Sequence, residues 1–375
     1  MLRDDDLNAA VASGIVTDVQ AASLRALAAS RAKERAGALG HEERFHFMRS
    51  FNDFFFAIGV ALLGGGLAFF TAGVPVASLI AAAIVWMLAE LLVGRMRLVL
   101  PGILLSCFFV GFILLASPID FWFMSSTRQP PDFDALRDWF MSARTPPRVE
   151  PTALVLSVYG VVGAAVAWLF YARFRLPFAL LLVAGGLIAA VLAAMHHYWP
   201  QPAKLLGSLV LLGCGLVVFA AAMAFDASDR ERLTRRADCA FWLHLLAAPL
   251  IVHSLIELVW SRTPGGARAA ADMTTEVAVA IALIVAVLAL VAIIIDRRAL
   301  LVSALTYLGI VIGYAIAGTI GRQADDKSFV FFATLVVLGA MVVALGVGWQ
   351  PVRRRLVALL SPTLAGRLPP VVPVR

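Results

Sequence analysis

One apolar stretch of this chain carries most of the side chains capable of chemistry. Between positions 239 and 260, His244, His253, Ser254 and Glu257 stand among otherwise hydrophobic residues. Ionisable groups at membrane depth are costly, and imidazole and carboxylate are the side chains that carry protons or bind metals near neutral pH. His253 and Glu257 are four residues apart, about 40° on a helical wheel, and share a face. His244 points roughly the opposite way, and Pro249 between the two histidines is expected to kink the helix and free a backbone carbonyl. A neighbouring stretch ends on His196 and His197. One reading gathers His196, His197, His253 and Glu257 into a proton-coupled or metal-binding site on one side of a membrane. The other leaves His196 and His197 at the interface beside Tyr198 and Trp199, with His253 bonded to a neighbouring helix and Glu257 near the boundary.

Signatures of soluble catalysis do not accompany these residues. The sequence has no phosphate loop, GxSxG, HExxH, GxGxxG with a following acid, or CxxC pair. Cys107, Cys214 and Cys239 fall in or beside apolar stretches and suit small packing residues. The chain is expected to be no enzyme and to use no cofactor. Elsewhere, Glu90 is placed to snorkel toward Arg95, and Tyr307, Tyr314 and Thr319 are candidates for a polar path.

The elements that must position these groups are read from hydropathy. The chain is 61% hydrophobic and 15% charged, against roughly 25% charged in soluble domains. Apolar runs fall near 54–72, 74–94, 98–119, 152–172, 176–197, 203–225, 239–260, 274–295, 299–320 and 328–349. A helix needs roughly 20 such residues to cross a hydrocarbon core of about 30 Å, and strand alternation is absent, which excludes a barrel. The fold class is therefore all-α: a polytopic transmembrane bundle of about ten spans with short interfacial helices. With the N-terminus inside, the cytoplasmic segments hold 22 of the 31 Lys and Arg residues, which orients the bundle with both ends cytoplasmic. The net charge of +7 thus reads as topology determinants and partners for anionic headgroups, and nucleic acid is excluded as a partner. No cleavable signal peptide is expected, because the first 50 residues are polar.

Three regions follow. Residues 1–50 form a cytoplasmic helical hairpin, with Gly14 ending a short helix and Thr17 capping a second one to about Arg35. An interfacial segment, 41–51, then leads to the first span, which Asn52 or Asp53 could cap. Residues 51–350 are the ten-helix transmembrane domain, whose long outer loop, 120–151, is expected to hold an amphipathic helix from Phe133 to Ala143 with Leu136, Trp139 and Phe140 on one face. Residues 351–375 form a cytoplasmic amphipathic tail: Pro351 breaks the tenth helix, and Val352, Leu356, Leu359 and Leu360 oppose Arg353, Arg354 and Arg355. The tail from Leu368 to Pro373 is expected to be disordered or extended. The 226–238 loop reads as a solvated charged face or as a docking site for an acidic partner or a headgroup.

Helices in lipid associate by close approach, so small residues mark the interior. Gly309, Gly313, Ala317 and Gly321 recur every four residues; Gly185, Ala189 and Ala193 run beside Gly186, Ala190 and Ala194; Ala340, Ala344 and Gly348 form another ridge, and Gly64, Gly65 and Gly66 stand together. Arg95-Met96-Arg97-Leu98, Arg173-Phe174-Arg175-Leu176 and Arg297-Arg298-Ala299-Leu300 repeat a basic turn, a pattern on which positive-inside loops converge.

The N-terminal pattern Leu7, Ser13-Gly14-Ile15-Val16-Thr17, Gln20-Ala21 and Leu24, with Arg49-Ser50-Phe51-Asn52-Asp53 entering the first span, resembles a family of uncharacterised bacterial polytopic membrane proteins. The stretch from Ala240 to His253 and the exit Gly348-Trp349 into Arg353-Arg354-Arg355 carry the same likeness. The resemblance implies a Gram-negative inner-membrane protein with a short cytoplasmic hairpin, and no activity comes with it. Two functions are expected from the residues: a non-catalytic scaffold or assembly factor whose partners are the bilayer and other membrane proteins or itself, or a small-solute or proton-coupled transporter working through His253 and Glu257.

Overall fold

The computed structural model describes residues 4–39, 51–71, 74–116, 153–199, 204–229, 232, 234–261, 274–320, 327–366 and 368–369. Segment 41–50, the outer loop 120–151 with its expected helix, and Gly321 lie outside the described residues. Among those described, every regular element is a helix, as the all-α reading requires. The chain divides into a small N-terminal unit and a main body.

In the small unit, α1 (Asp4–Ala12) and α2 (Asp18–Leu39) pair as a hairpin. Gly14 turns the chain with φ +72°, a value that costs little only where there is no Cβ. A reciprocal capping box opens α2: the Thr17 backbone N–H donates to Gln20 Oε1 at 3.0 Å, and the Gln20 N–H donates to Thr17 Oγ1 at 3.3 Å. Leu7 and Ala21 are buried between the helices, while Ile15, Val19, Leu24 and Leu27 stay exposed.

The main body is a helical bundle. Its helices are α3 (Phe51–Thr71), α4 (Pro75–Ala89), α5 (Leu100–Leu115), α6 (Ala153–Phe174), α7 (Pro177–Tyr198), α8 (Lys204–Ser228), α9 (Arg235–Trp260), α10 (Thr275–Ile295), α11 (Ala299–Ile320) and α12 (Lys327–Ala358), followed by the short α13 (Pro362–Ala365). All ten apolar runs are helical. Among the described residues eight are long and apolar enough to cross a membrane, and Leu100–Leu115 and the stretch Ala304–Ala317 within α11 are further apolar segments. α3 begins at Phe51, so Asn52 and Asp53 lie in its first turn rather than before it.

α9 is the central helix: 56% of its most apolar stretch is buried, against none of that of α12. One core joins α3 to α7 around an aromatic cluster in which Trp86 packs on Phe109 at 5.0 Å and on Phe174 at 5.1 Å between centroids. The next cores wrap α9, first with α7 and α8, then with α10 and α11.

Closest approach occurs between α6 and α7. A Cβ on Gly160 would lie 2.6 Å from the Gly186 carbonyl oxygen, and one on Gly186 would lie 2.8 Å from that of Gly160. Gly160, Gly163, Ala164 and Ala167 are buried on α6, a ridge the sequence reading passed over. Of the two ridges read on α7, that of Gly186 and Ala190 makes the crossing, while Gly185 meets open space. On α11, a Cβ on Gly309 would meet Leu338 of α12 at an ordinary 3.6 Å and one on Gly313 would meet the Thr334 hydroxyl at a tight 3.3 Å, and Ala317 is exposed. Ala340 and Ala344 are also exposed, so the ridge expected on α12 points away from the bundle. Gly64 faces the Phe108 ring, while Gly65 and Gly66 face open space.

The repeated basic turns have a conformational meaning. Arg97, Arg175 and Asp296 are left-handed, with φ of 58°, 52° and 59°, and the residues after them, Leu98, Leu176 and Arg297, are buried. Each helix thus ends on a left-handed residue that reverses the chain and drives the next side chain inward. Before the first turn, Glu90–Arg95 winds as a π-helix. Glu90 pairs there with Arg173 at 2.7 Å, bridging two basic turns instead of reaching Arg95.

Pro351 does not end the tenth helix. α12 runs through it to Ala358, because a proline removes one hydrogen bond and adjacent turns retain theirs. The amphipathic reading of the tail changes with it: Arg353 is fully buried while Val352 and Leu359 are exposed. Leu368 is also buried, in a core shared with Trp349, Ile295 and Leu300.

Candidate functional site

Continuation of α8 to Ser228 carries Asp226 out of the expected loop and into a helix, where it is 6% exposed. Burial of a carboxylate demands partners, and two elements supply them. His244 of α9, with no exposed surface, lies with Nε2 3.0 Å from Asp226 Oδ2. Arg297, in the turn between α10 and α11, donates from Nε to Oδ2 at 3.1 Å and from Nη2 to Oδ1. The guanidinium thereby grips the carboxylate with two donors, the geometry that makes arginine–carboxylate pairs strong and directional. Nη2 of Arg297 also donates to the Ala237 carbonyl at 3.2 Å, tying the start of α9 to the same point. The His244 ring sits edge-on to Phe219 at 5.3 Å.

The neighbouring residue, Asp296, organises a second centre. Its left-handed backbone turns the carboxylate toward α12, where Oδ1 accepts from Trp349 Nε1 at 2.7 Å. Oδ2 faces Arg232 Nη1 at 3.4 Å, and Arg232 Nη2 donates to the carbonyls of Asp296 and Ile295 at 2.9 and 3.1 Å. Arg353 of α12 lies 3.9 Å from Oδ1 and donates from Nη2 to the Pro369 carbonyl at 2.7 Å. Arg298 lies over the Trp349 ring at 5.4 Å. Two carboxylates and three guanidiniums thus join α8, α9, the α10–α11 turn, α12 and the residues after it.

The chemistry of this network is cohesive. Asp226 orients His244 as a carboxylate orients a catalytic imidazole, but the hydroxyl of Ser254, a further polar group of α9, is bonded to the Ile251 carbonyl at 2.9 Å. His244 Nδ1 is buried without a hydrogen-bond partner among the described residues. The arrangement cross-links helices.

The other described histidines are placed apart. His253 is on the exposed side of α9, opposite His244 as its spacing requires, and its Nδ1 bonds Tyr307 Oη of α11 at 2.9 Å. Glu257 is half-buried one turn further on. Beyond Tyr307 on the same helix, Tyr314 Oη lies 3.4 Å from Thr275 Oγ1 of α10. His196 and His197 end α7 exposed, with His197 edge-on to Tyr198 at 5.1 Å. Among the described residues no three His, Cys, Asp or Glu gather to hold a metal ion, so these four residues are not brought into one coordination site. Pro249 lies inside a continuous α9, and Gly215 of α8 packs on Leu250 and Ile251 just past it.

Sequence reasoning found His244 and missed its partner Asp226 and the rest of the network, Asp296, Arg297, Trp349 and Arg353. The available signal was Asp226 ending an apolar helix and the acid–base pair Asp296-Arg297 in a turn too short to solvate both. Comparison of the chain with protein-family models, with curated proteins and with solved structures finds no match.

Proposed function

We propose that this chain is a non-catalytic scaffold or assembly factor of the bacterial inner membrane, with both termini in the cytoplasm. The observation that carries this reading is the fate of its buried ionisable groups: Asp226, His244 and Arg297 are spent on bonds between helices. A bundle stapled in this way is a rigid platform. The apolar residues Ile15, Val19, Leu24 and Leu27 on the N-terminal hairpin then offer a surface for other membrane proteins or for a second copy. One observation favours the alternative of a small-solute or proton-coupled transporter: His253–Tyr307 and Thr275–Tyr314 form successive polar contacts along α9, α10 and α11.

Reconstitution in liposomes loaded with a pH-sensitive dye separates the two. The scaffold reading expects no proton flux beyond that of empty liposomes, and no difference among wild type, His253→Ala and Glu257→Gln. Flux in wild type that either substitution abolishes overturns it in favour of transport.

A further inference from the structure

A pocket of roughly 390 Å³ opens where the basic turns meet, lined by Tyr171, Arg175, Phe225, Arg235, Arg236 and Cys239. Its walls come from three helices: the end of α6 with its turn, the end of α8, and the first turn of α9. Arg175, Arg235 and Arg236 are all exposed. Among the described residues none of the three has an ion-pair partner. The acids nearby are committed elsewhere: Asp226 to Arg297 and His244, and Asp229 to the Thr234 backbone and hydroxyl. Asp238 is the acidic neighbour on α9 and does not line the pocket.

Three unneutralised guanidiniums around one concavity are an anion site, and their planar forks match phosphate oxygens. The flanks of the pocket say what the anion is attached to. One turn before Tyr171, Trp168 and Leu169 are each 55% exposed, and the Trp168 ring packs on Tyr171 at 5.6 Å. Leu216 and Val217 are exposed further up α8. The basic mouth therefore continues into the apolar sides of helices long enough to cross a membrane. An occupant must be anionic at one end and hydrocarbon at the other.

We propose that this pocket binds the headgroup phosphate of an anionic phospholipid, with the acyl chains lying along α6 and α8. Arg175, Arg235 and Arg236 hold the phosphate, Tyr171 supplies a hydroxyl at the pocket wall, and Phe225 closes the apolar side. Basic pockets between membrane helices are known headgroup sites, each arginine near the surface being worth about a fivefold gain in binding.

The test uses the full chain in neutral detergent, with bound lipid read by native mass spectrometry and by the shift in melting temperature. Phosphatidylglycerol should bind saturably and resist competition by phosphatidylcholine. Arg175→Gln, Arg235→Gln and Arg236→Gln should each weaken it about fivefold. The pair Arg354→Gln and Arg355→Gln, exposed arginines outside the pocket, should leave it unchanged. Inorganic phosphate alone producing the same saturable shift would assign the site to a free anion and overturn the proposal. Equal binding of phosphatidylcholine, or an equal loss in the Arg354/Arg355 control, overturns it as well. Each single substitution removes one exposed side chain and leaves the fold intact, so full retention of binding in all three is equally decisive against it.

Discussion

At the scale of single residues, Asp226 is the most consequential position. Replacing it with asparagine leaves Arg297 buried against a neutral amide. Breaking a buried pair on one side costs roughly 3–5 kcal/mol, so Asp226→Asn should lower the melting temperature in detergent sharply. Apolar replacement of both partners is often neutral, because the desolvation of two charges disappears with their attraction. The double variant Asp226→Leu/Arg297→Met should therefore recover much of the loss; a double variant as unstable as the sum of its singles would refute the pairing. Trp349→Phe keeps the ring under Arg298 and removes only the bond to Asp296. A hydrogen bond to a charged group is worth about 1.5–3 kcal/mol, so its melting shift should be the smaller. These partners were hard to read from the sequence because they are 18 and 71 residues apart. Hydropathy placed Asp226 one residue past an apolar run, where a charge is ordinarily solvated. His244 was legible because a histidine inside an apolar run has nowhere to hide.

Among the elements, helix packing should be graded by how close the backbones come. Gly160→Leu and Gly186→Leu drive a side chain into backbone atoms less than 3 Å away, whereas Gly313→Leu meets the end of a threonine side chain. Both α6–α7 substitutions should destabilise the bundle more than Gly313→Leu, and Gly65→Leu, in open space, should leave detergent melting nearly unchanged. If Gly313→Leu proved the most damaging, the assignment of the tightest crossing would be wrong. A gain is expected at the basic turns. Arg97 is left-handed, which costs a residue with a Cβ about 1–2 kcal/mol, so Arg97→Gly should raise the melting temperature. The number and position of the helices were legible, since a run of apolar residues in lipid has little choice except to close its own hydrogen bonds. The choice of packing ridge was not. Gly185 and Gly186 are adjacent, and one of them meets α6 only because of a helix rotation that four-residue spacing leaves open. Pro351 misled for a related reason: a proline is a reliable stop only where nothing else holds the helix, and here Trp349 and Arg353 are anchored on either side of it.

For the whole molecule, the polar contacts place the basic turns at one end of the bundle. Glu90–Arg173 joins the first two turns, and the pocket brings Arg175 beside Arg235 and Arg236. The carboxylates of Asp226 and Asp296 then connect α8 and Arg232 with the α10–α11 turn and α12. This gathering was implicit in the arginine count, which separates one set of loops from the other without saying that they touch. The positive-inside bias predicts that this end faces the cytoplasm, an expectation open to a direct measurement. In a background with Cys107, Cys214 and Cys239 replaced by alanine, single cysteines at Arg97, Arg175 and Arg354 should all react from the cytoplasmic side with a membrane-impermeant thiol reagent. A cysteine at Trp199, exposed at the far end of α7, should react only from the opposite side. Reaction of Arg97→Cys and Arg175→Cys from different sides would mean that an odd number of helices between them crosses, and the oriented bundle would fall. Labelling of all three basic positions from outside would leave the bundle intact and invert it, moving the arginine pocket and its expected lipid to the outer leaflet.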